Sequence, residues 1–496
     1  PTTPTAFQQF YSGAAQDEDA FIAIFNPDHT LKYCSYFGGI GNDNLTEMVF
    51  HNDKLFFCGT SFADNMQGTI GSHQQLHAGS LDGFIGCLDL SGNIEWLTMY
   101  GTNEYDAILG LAVINNKVVC VGSTASGEYF TTTDATQPNN AGGFDAFMLV
   151  MSIDGQVEYC TLMGTSEADQ AWRINGDSQG NIYIMGQSSS PTGMSTSGSL
   201  QEENAGGSDL FIAQFDSNYQ LNWSTYFGGS GFETGMDMMV DSNDRLWVSG
   251  TSTSNNLPIS NNALYSTPHI LASFVLHMNT QGELLWSSYV GESSGTSLNN
   301  ITEWNNHIVL SGYTNYNNLP TSSNASQSSL QGNHDGFIML LNQDYELIYC
   351  TYYGGNLSER QQLADARNGL LYLFGTTEST QQMTTPNAYQ FNILNPNSFE
   401  GYIAIMDITN GIADGSIPTS LLTVYPQPAN NLARIESSTP MYYIQVMDLA
   451  GHIVLEKSGL SVLSETLQLS QLNTGIYLLR IHGEKGGETK KLVVQH

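Results

Sequence analysis

The stretch DAFIAIFNPDHTLKYCSYFGG at residues 19–39 recurs, with substitutions, along most of this chain. It returns as DGFIGCLDLSGNIEWLTMYGT at 82–102 and as DAFMLVMSIDGQVEYCTLMGT at 145–165. Each copy reads as an apolar strand, a turn rich in Asn, Asp and Gly, and a second strand that carries Tyr or Trp. One such unit cannot bury both of its faces alone, so the repetition decides the fold.

Three markers in register show that the repeat is real. The Asp-x-Phe phrase returns at intervals of 63, 63, 64, 63, 63 and 65 residues, and two glycines keep step with it. The first position of the phrase is Asp19, Asp82, Asp145, Asp209, Ala272, Asp335 and Glu400; the glycines are Gly38, Gly101, Gly164, Gly228, Gly291 and Gly354, then Gly59, Gly122, Gly186, Gly250, Gly312 and Gly375.

The units predict an all-β fold, a β-propeller of four-stranded blades. Blades arranged radially bury their faces on one another and protect their edges. Counting strand types favours six blades, with seven as the alternative. The ring is expected to close by pairing strands near 19–37 with those near 361–406, so that both ends share one blade. A β-solenoid is the second choice, because its rungs are usually shorter.

Composition divides the chain in two. Of its 496 residues only 12% are charged, against a typical ~25%, and the net charge is −34. Residues 419–496 hold equal numbers of basic and acidic residues, so the whole net charge lies on 1–418. A region with so much negative charge is repelled by nucleic acid and by anionic membrane surfaces. No apolar stretch reaches the ~18 residues of a spanning helix.

The domain prediction follows from these shifts: a propeller at 1–408, a linker at 409–418 and a small Ig-like β-sandwich at 419–496. Alternation in YYIQVMDL and IYLLRI, with turns at DLAGH and LNTG, indicates the antiparallel strands of the sandwich. The opening PTTPTAFQ is expected to be the start of a mature chain after signal removal.

The six cysteines do not form a disulfide framework. Cys34, Cys160 and Cys350 occupy one position of three different repeats, and the other three replace apolar strand residues. Buried free thiols are expected. Cys58 with Cys87, on neighbouring strands, is the one pair that geometry leaves open.

The repeats resemble a known bacterial family. DAFIAIFNPDHTLKYCSYFGG and NIYIMGQSSS are similar to SBBP β-propeller repeats over roughly residues 1–408. The resemblance implies the propeller and says little about function. The fifth repeat departs most, since it lacks the Asp and reads YVGESSGTS after its aromatic strand.

The tail resembles the C-terminal sorting domain of type IX secretion in Bacteroidetes. Four ordered motifs carry the likeness: YPQPAN with Tyr425, Pro426, Pro428 and Asn430; DLAG ending at Gly451; LNTGIY with Gly475 and Tyr477; and KKLVV with Lys490, Lys491 and Leu492. The resemblance implies export through the type IX translocon, contact with its shuttle and attachment proteins, and a place on the cell surface or outside the cell. The alternative is an ordinary Ig-like domain.

No grouping of residues predicts a catalytic or cofactor site. His73 and His77 have metal-ligand spacing without further support, and Asp241, Asn243 and Asp244 give only a weak case for Ca²⁺ against a plain turn. Asp19, Asp82, Asp145, Asp209 and Asp335 are predicted to be structural, bonding backbone amides, because an active site normally breaks symmetry. The irregular stretch GESSGTSLNN at 291–300 is therefore a place to look for function.

Three functions remain open. The first is a non-enzymatic binding or adhesion module for a glycan or protein. The second is a structural subunit of a surface assembly or filament that keeps its tail. The third is a glycan-active hydrolase. A cluster of carboxylates at one end of the propeller axis would support this function.

Overall fold

The computed structural model describes residues 2–13, 17–26, 30–63, 65–127, 130–291, 295–367, 369–380, 383–384, 390, 399–408, 423–425, 429–448, 453–483 and 486–495. These residues form strands, turns and loops and no helix. Contacts divide the chain into two compact units, Pro1–Ile412 and Ala413–His496. The expected linker at 409–418 lies outside the described residues.

The first unit is a β-propeller with five complete four-stranded blades, each ordered as in the sequence from an innermost to an outermost strand. They are β3–β6 (Asp43–His51, Lys54–Ser61, Asp82–Asp89, Ile94–Tyr100), β7–β10 (Asp106–Ile114, Lys117–Thr124, Asp145–Ser152, Val157–Met163), β11–β14 (Asp169–Gly176, Ile182–Ser188, Asp209–Phe215, Leu221–Phe227), β15–β18 (Glu233–Val240, Leu246–Ser252, Ala272–Met278, Leu284–Val290) and β19–β22 (Thr296–Trp304, His307–Thr314, Asp335–Leu341, Leu347–Tyr353).

Two-residue turns set the register within blades. Asn52 and Asp53, which join β3 to β4, have φ of 49° and 61°, and Asn115 and Asn116 repeat the pattern with 50° and 59°. This is the left-handed pair that tight hairpins require, and Asn and Asp adopt it most readily after glycine.

Partial sheets stand at both ends of the repeat region. At the start, β1 (Ala20–Phe25) pairs with β2 (Leu31–Phe37); at the end, β23 (Glu359–Arg367), β24 (Leu370–Thr377) and β25 (Glu400–Met406) form three strands. The predicted closure by a shared blade is wrong. Strand β25 occupies the edge of β24 that β1 would need, so the described residues of this unit form seven sheets, five of which have four strands.

The six innermost strands share one irregularity. In β3, β7, β11, β15, β19 and β23 the pairing register shifts by a β-bulge at the same place, between the third and fifth residues. Each of these strands packs on the next one, from β3 through to β23. In the described part of the chain no packing of that extent joins β23 back to β3.

The hydrophobic core of the propeller forms where the faces of neighbouring sheets pack together. Each core cluster joins the Phe of an Asp-x-Phe strand to the apolar residue one position later on the preceding sheet. The pairs are Ile22 with Phe84, Ile85 with Phe147, Met148 with Phe211, Ile212 with Phe274, and Val275 with Phe337. The phenylalanine therefore faces backward along the repeat and the following residue faces forward.

The described residues of the second unit form five strands: β26 (Thr423–Tyr425), β27 (Leu432–Met447), β28 (Ile453–Gln468), β29 (Gly475–Gly483) and β30 (Gly486–Val494). Hydrogen bonds connect all five strands, and β27 pairs with β26, β28 and β29, so the predicted all-β second domain is confirmed. The pairing of β27 with β28 continues past a register shift between Glu436 and Met441.

All six cysteines are free, and five of them are fully buried. Cys58 lies opposite Ile85 and Cys87 lies opposite Phe56, so the pair left open by the sequence is not adjacent in register. Within the described residues, no helix has the length and apolarity needed to cross a membrane.

Candidate functional site

The repeated aspartates lie where an interblade loop meets the third strand of a blade. One carboxylate oxygen of each accepts a backbone N–H of the preceding loop at 2.7 to 2.9 Å and the side-chain amide of a glutamine eight to eleven residues upstream. The same glutamine accepts the N–H of the glycine that follows the fourth strand, at 2.9 to 3.1 Å. The aspartates are Asp19, Asp82, Asp145, Asp209 and Asp335; the glutamines are Gln8, Gln74, Gln137, Gln201 and Gln327.

A second row of acids begins the innermost strands and ties consecutive blades together. Asp43, Asp106, Asp169, Glu233 and Glu359 each accept a backbone N–H that lies just beyond the fourth strand of the sheet before, at 2.6 to 2.9 Å. At each junction the two rows meet. A Cβ placed on Gly354 would lie 2.6 Å from Asp335 Oδ1 and 2.7 Å from Glu359 Oε2, so the position demands glycine.

Burial raises the pKa values of two junction aspartates, Asp145 and Asp209, and a neighbouring acid adds to each rise. Burial raises the pKa of Asp145 to about 6, with the neighbouring Asp169 adding to the rise, and does the same for Asp209 beside Glu233. The Oδ1 atoms of both aspartates are buried without a hydrogen-bond partner. Such groups hold their protons more tightly when the protein is folded.

The fifth repeat has lost both acids and the glutamine together. Ala272 stands at the Asp-x-Phe position, Tyr265 takes the place of the glutamine, and Thr296 begins the inner strand and pairs with Thr314 at 2.8 Å between hydroxyls. The blade still forms four strands, so the set acts as one replaceable junction.

The repeat breaks its symmetry on the axis, at the bulge of the innermost strands. The residue just after each bulge is Glu47, Gly110, Arg173, Asp237, Asn300 and Leu363 in successive strands. Three of the six are charged and one is an amide. In the repeated positions of the junction one residue type prevails, whereas here no two residues are alike.

The bulge side chains form a connected polar group, which we call the axial cluster: Glu47, Arg173, Asp237, Asn299 and Asn300. Asp237 Oδ2 accepts both Asn300 Nδ2 and the N–H of Ile301 at 2.8 Å. Asn300 Oδ1 in turn accepts the N–H of Ala364 at 2.9 Å, and Asn299 donates to the carbonyl of Gln361 at 2.9 Å. The cluster therefore links three consecutive inner strands.

Three members of the axial cluster, Glu47, Arg173 and Asp237, are charged residues and influence one another electrostatically. Arg173 Nε lies 3.9 Å from Asp237 Oδ1, and the two side chains are 34% and 19% exposed, so solvent reaches both. Burial raises the pKa of Glu47 to about 7; Arg173 opposes the rise and Asp237 adds to it. Glu47 belongs to β3, whereas Arg173 and Asp237 belong to strands two and three blades further on, so the three charged groups lie within electrostatic reach of one another.

Local backbone makes room for this arrangement. A Cβ on Gly110 would lie 2.9 Å from the carbonyl oxygen of Trp172 and 3.4 Å from Cα of Arg173. The glycine thus lets β11 approach β7 closely. The same carbonyl accepts a hydrogen bond from Arg173 Nη1 at 3.0 Å, which holds the guanidinium near the bulge, next to the mostly buried Trp172.

Sequence analysis missed Glu47, Arg173 and Asp237. It marked 291–300 as irregular, and Asn299 and Asn300 come from that stretch; residues 292–294 lie outside the described residues. The usable signal was a charge inside the least apolar strand of a repeat, as in NLTEMVF, QAWRING and TGMDMMV.

The structure does not bring the candidate metal ligands His73, His77 and Asp241 together at one site. His73 stacks on Tyr100 with ring centroids 5.4 Å apart, while His77 Nε2 lies 3.0 Å from the Ser61 carbonyl. The Asp241 carboxylate accepts hydrogen bonds from the side chains of Arg245 and Trp247 within its own hairpin. Among the described residues no three His, Cys, Asp or Glu side chains are grouped to hold a metal ion.

Two surface clefts of about 430 and 570 Å³ lie away from the axis. The first is lined by residues 258–262 and Leu284, the second by loop residues around 67–70 and 92–94. Neither contains a titratable side chain, so we place the candidate site at the axial cluster.

The sorting motif is only partly described. Leu492 is fully buried in the core of the second unit, Tyr477 donates its hydroxyl to the carbonyl of Asn473 at 3.0 Å, and Gly475 begins β29. Tyr425 lies in β26, Asn430 is exposed two residues before β27, and Lys490 and Lys491 lie in β30. Pro426, Pro428 and Gly451 lie outside the described residues.

Residues 423–495 match the family described as the secretion system C-terminal sorting domain. This match indicates secretion, a location on the cell surface or outside the cell, and interaction with the type IX secretion system. No curated protein matches the chain.

Solved structures resemble the chain only weakly. A mutant of the Synechocystis apocarotenoid oxygenase aligns over 92% of this chain and 97% of its own, with 9% identity and a TM-score of 0.36. A phage phi92 endosialidase aligns over 95% and 90%, with 9% identity and a TM-score of 0.32. Likenesses at this level carry no argument about activity.

Proposed function

We propose that the chain is a non-enzymatic binding module, displayed by type IX secretion, whose axial cluster binds a polyhydroxylated ligand such as a glycan. The supporting observation is the loss of symmetry at one position. Six equivalent bulges carry Glu47, Gly110, Arg173, Asp237, Asn300 and Leu363, although the junctions around them repeat.

The chemistry of the cluster suits sugar hydroxyls. Carboxylates accept hydroxyl protons, amides offer a donor and an acceptor, and a guanidinium donates from a rigid fork. Trp172 on the same bulge offers an aromatic face, the kind of surface on which sugar rings stack. The bulk of the propeller is anionic, so a neutral glycan is favoured over a polyanion.

The test is binding of the full-length protein to an array of neutral and acidic oligosaccharides. Wild type and the control Arg367→Ala, an exposed arginine at the far end of β23, are expected to bind the same sugars. Arg173→Ala is expected to lose at least tenfold in affinity, about 1.4 kcal/mol, with unchanged circular dichroism. Failure of wild type to bind any sugar, or equal binding by Arg173→Ala, contradicts the proposal.

A glycan hydrolase is the second candidate, favoured by one observation. With its pKa raised to about 7, Glu47 is partly protonated at neutral pH, and the nearby carboxylate of Asp237 completes the pair that glycoside hydrolysis uses. If the chain cleaves a bound sugar, Glu47→Gln removes cleavage by a factor of at least ~100 while binding persists. A wild type that binds sugars and leaves them intact over long incubation excludes this candidate.

Retention of the tail, the SBBP assignment and a Bacteroidetes source remain predictions. The mass of the chain recovered from its native cells distinguishes a cleaved from a retained tail: a chain that lacks residues 419–496 would show the tail to be an export signal alone.

A further inference from the structure

Both terminal sheets leave an apolar face uncovered, and the two faces are of opposite kinds. On β1, Phe21 is 64% exposed, whereas the equivalent phenylalanines Phe84, Phe147, Phe211, Phe274 and Phe337 are at most 1% exposed. On β25, Ile403 is 53% exposed, whereas its equivalents Ile85, Met148, Ile212, Val275 and Ile338 are completely buried.

The start of the repeat region offers a backward face. The phenylalanine of each following Asp-x-Phe strand packs against the preceding sheet, and among the described residues no sheet precedes β1. Met48 and Phe50 of β3 are also exposed. They point to the same side, because their neighbour Val49 packs into the core shared with the next blade. We call Phe21, Met48 and Phe50 the backward face.

The end of the repeat region offers a forward face. Ile403 and Ile405 are exposed on β25, and Leu363 is exposed on β23. In register, Ile403 pairs with Phe374, which pairs in turn with Leu363, so these side chains share one side of the sheet. The opposite side, with Leu371 and Leu373, is buried against the preceding blade. We call Leu363, Ile403 and Ile405 the forward face.

Inside the molecule a forward face meets a backward face at five successive junctions. We propose that the forward face of one chain packs on the backward face of a second copy, continuing the blade-on-blade interface between molecules.

The contact is proposed between two copies and not within one chain, because the structure argues against closure of the single chain. Closure by a shared blade needs the outer edge of β24 for β1, and β25 already holds that edge over seven paired residues. Closure by face-to-face packing would cover Phe21 and Ile403, which are 64% and 53% exposed in the single chain. A contact between two different faces is heterologous, so it generates closed rings or open filaments rather than a two-fold dimer. The inference does not depend on the axial cluster or on glycan binding.

The test uses full-length chains and two single substitutions, Phe21→Lys and Ile403→Lys. Each places a charge in an apolar contact without disturbing the fold, because both side chains are exposed in the single chain. Wild type is expected to associate with increasing concentration in analytical ultracentrifugation. Each variant alone is expected to associate at least tenfold more weakly, whereas the control Ile270→Lys, at another exposed isoleucine, behaves like wild type.

Mixing the two variants distinguishes the modes of contact. One intact forward face and one intact backward face remain, so the mixture is expected to form pairs but nothing larger. A mixture that stays monomeric while wild type associates overturns the head-to-tail contact. So does a wild type that is monomeric at every concentration, or a Phe21→Cys/Ile403→Cys double variant that cross-links only within one chain.

Discussion

The junctions between blades and the axis of the propeller use similar residues in opposite ways. At the junctions, an aspartate, a glutamine and a glycine recur with nearly constant distances, and the fifth repeat loses aspartate and glutamine together. On the axis, one bulge position carries a different residue in each of six strands. Repetition marks what every blade needs to fold, and departure marks what a single site needs to bind.

The largest expected effect comes from removing a junction carboxylate. Asp145→Ala leaves the N–H of Ala141 and the side-chain amide of Gln137 without their shared acceptor at a partly buried junction. We expect a loss of roughly 2–4 kcal/mol in the free energy of unfolding. Chemical denaturation followed by tryptophan fluorescence measures it. The control Asp134→Ala, an exposed residue of the same repeat, should change stability by less than about 0.5 kcal/mol.

Replacing a junction glycine is expected to cause the next largest loss of stability. A Cβ on Gly164 would lie 2.3 Å from Cγ of Asp145, so Gly164→Ala must displace the carboxylate, at about 1–3 kcal/mol. Gly143→Ala, whose Cβ would meet nothing closer than 3.7 Å, is the matched control. Equal unfolding midpoints for the two variants would show that the glycine is not required by the carboxylate.

A smaller effect is the pH dependence of stability. Since burial raises the pKa of Asp145 from 3.8 to about 6, the folded chain binds more protons than the unfolded chain between these values. The contribution of Asp145 to stability is therefore present at low pH and lost as pH rises toward 6. Asp145→Asn should flatten this part of the profile, measured as unfolding midpoint against pH. An unaltered profile in Asp145→Asn, with Asp134→Asn as control, would refute the assignment.

The smallest expected loss of stability is on the axis. Burial raises the pKa of Glu47 from 4.5 to about 7, so its charged form opposes folding near pH 7, and Glu47→Gln should not lower the unfolding free energy there. The same denaturation experiment measures it. A loss as large as that of Asp145→Ala would show that the axial cluster is a structural element like the junctions.

Sequence was sufficient for the repeating part of this account. The spacing of Asp-x-Phe and of the marker glycines is visible in one dimension, and so are four strands per unit and the sorting motif. Closure and the axial cluster were not predictable. The former depends on whether β1 or β25 takes the edge of β24, two strands of the same type. The latter depends on a bulge that brings Glu47 near Arg173, over a hundred residues away.

One chemical change at two positions tests the central claim most directly. Asp145→Asn and Asp237→Asn each remove one carboxylate, the first from a junction and the second from the axis. The affinity of both variants for the best sugar found on the array should be measured by calorimetry beside wild type. The account predicts at least tenfold weaker binding by Asp237→Asn and unchanged binding by Asp145→Asn. Equal affinities for the two variants, or a loss confined to Asp145→Asn, would contradict it.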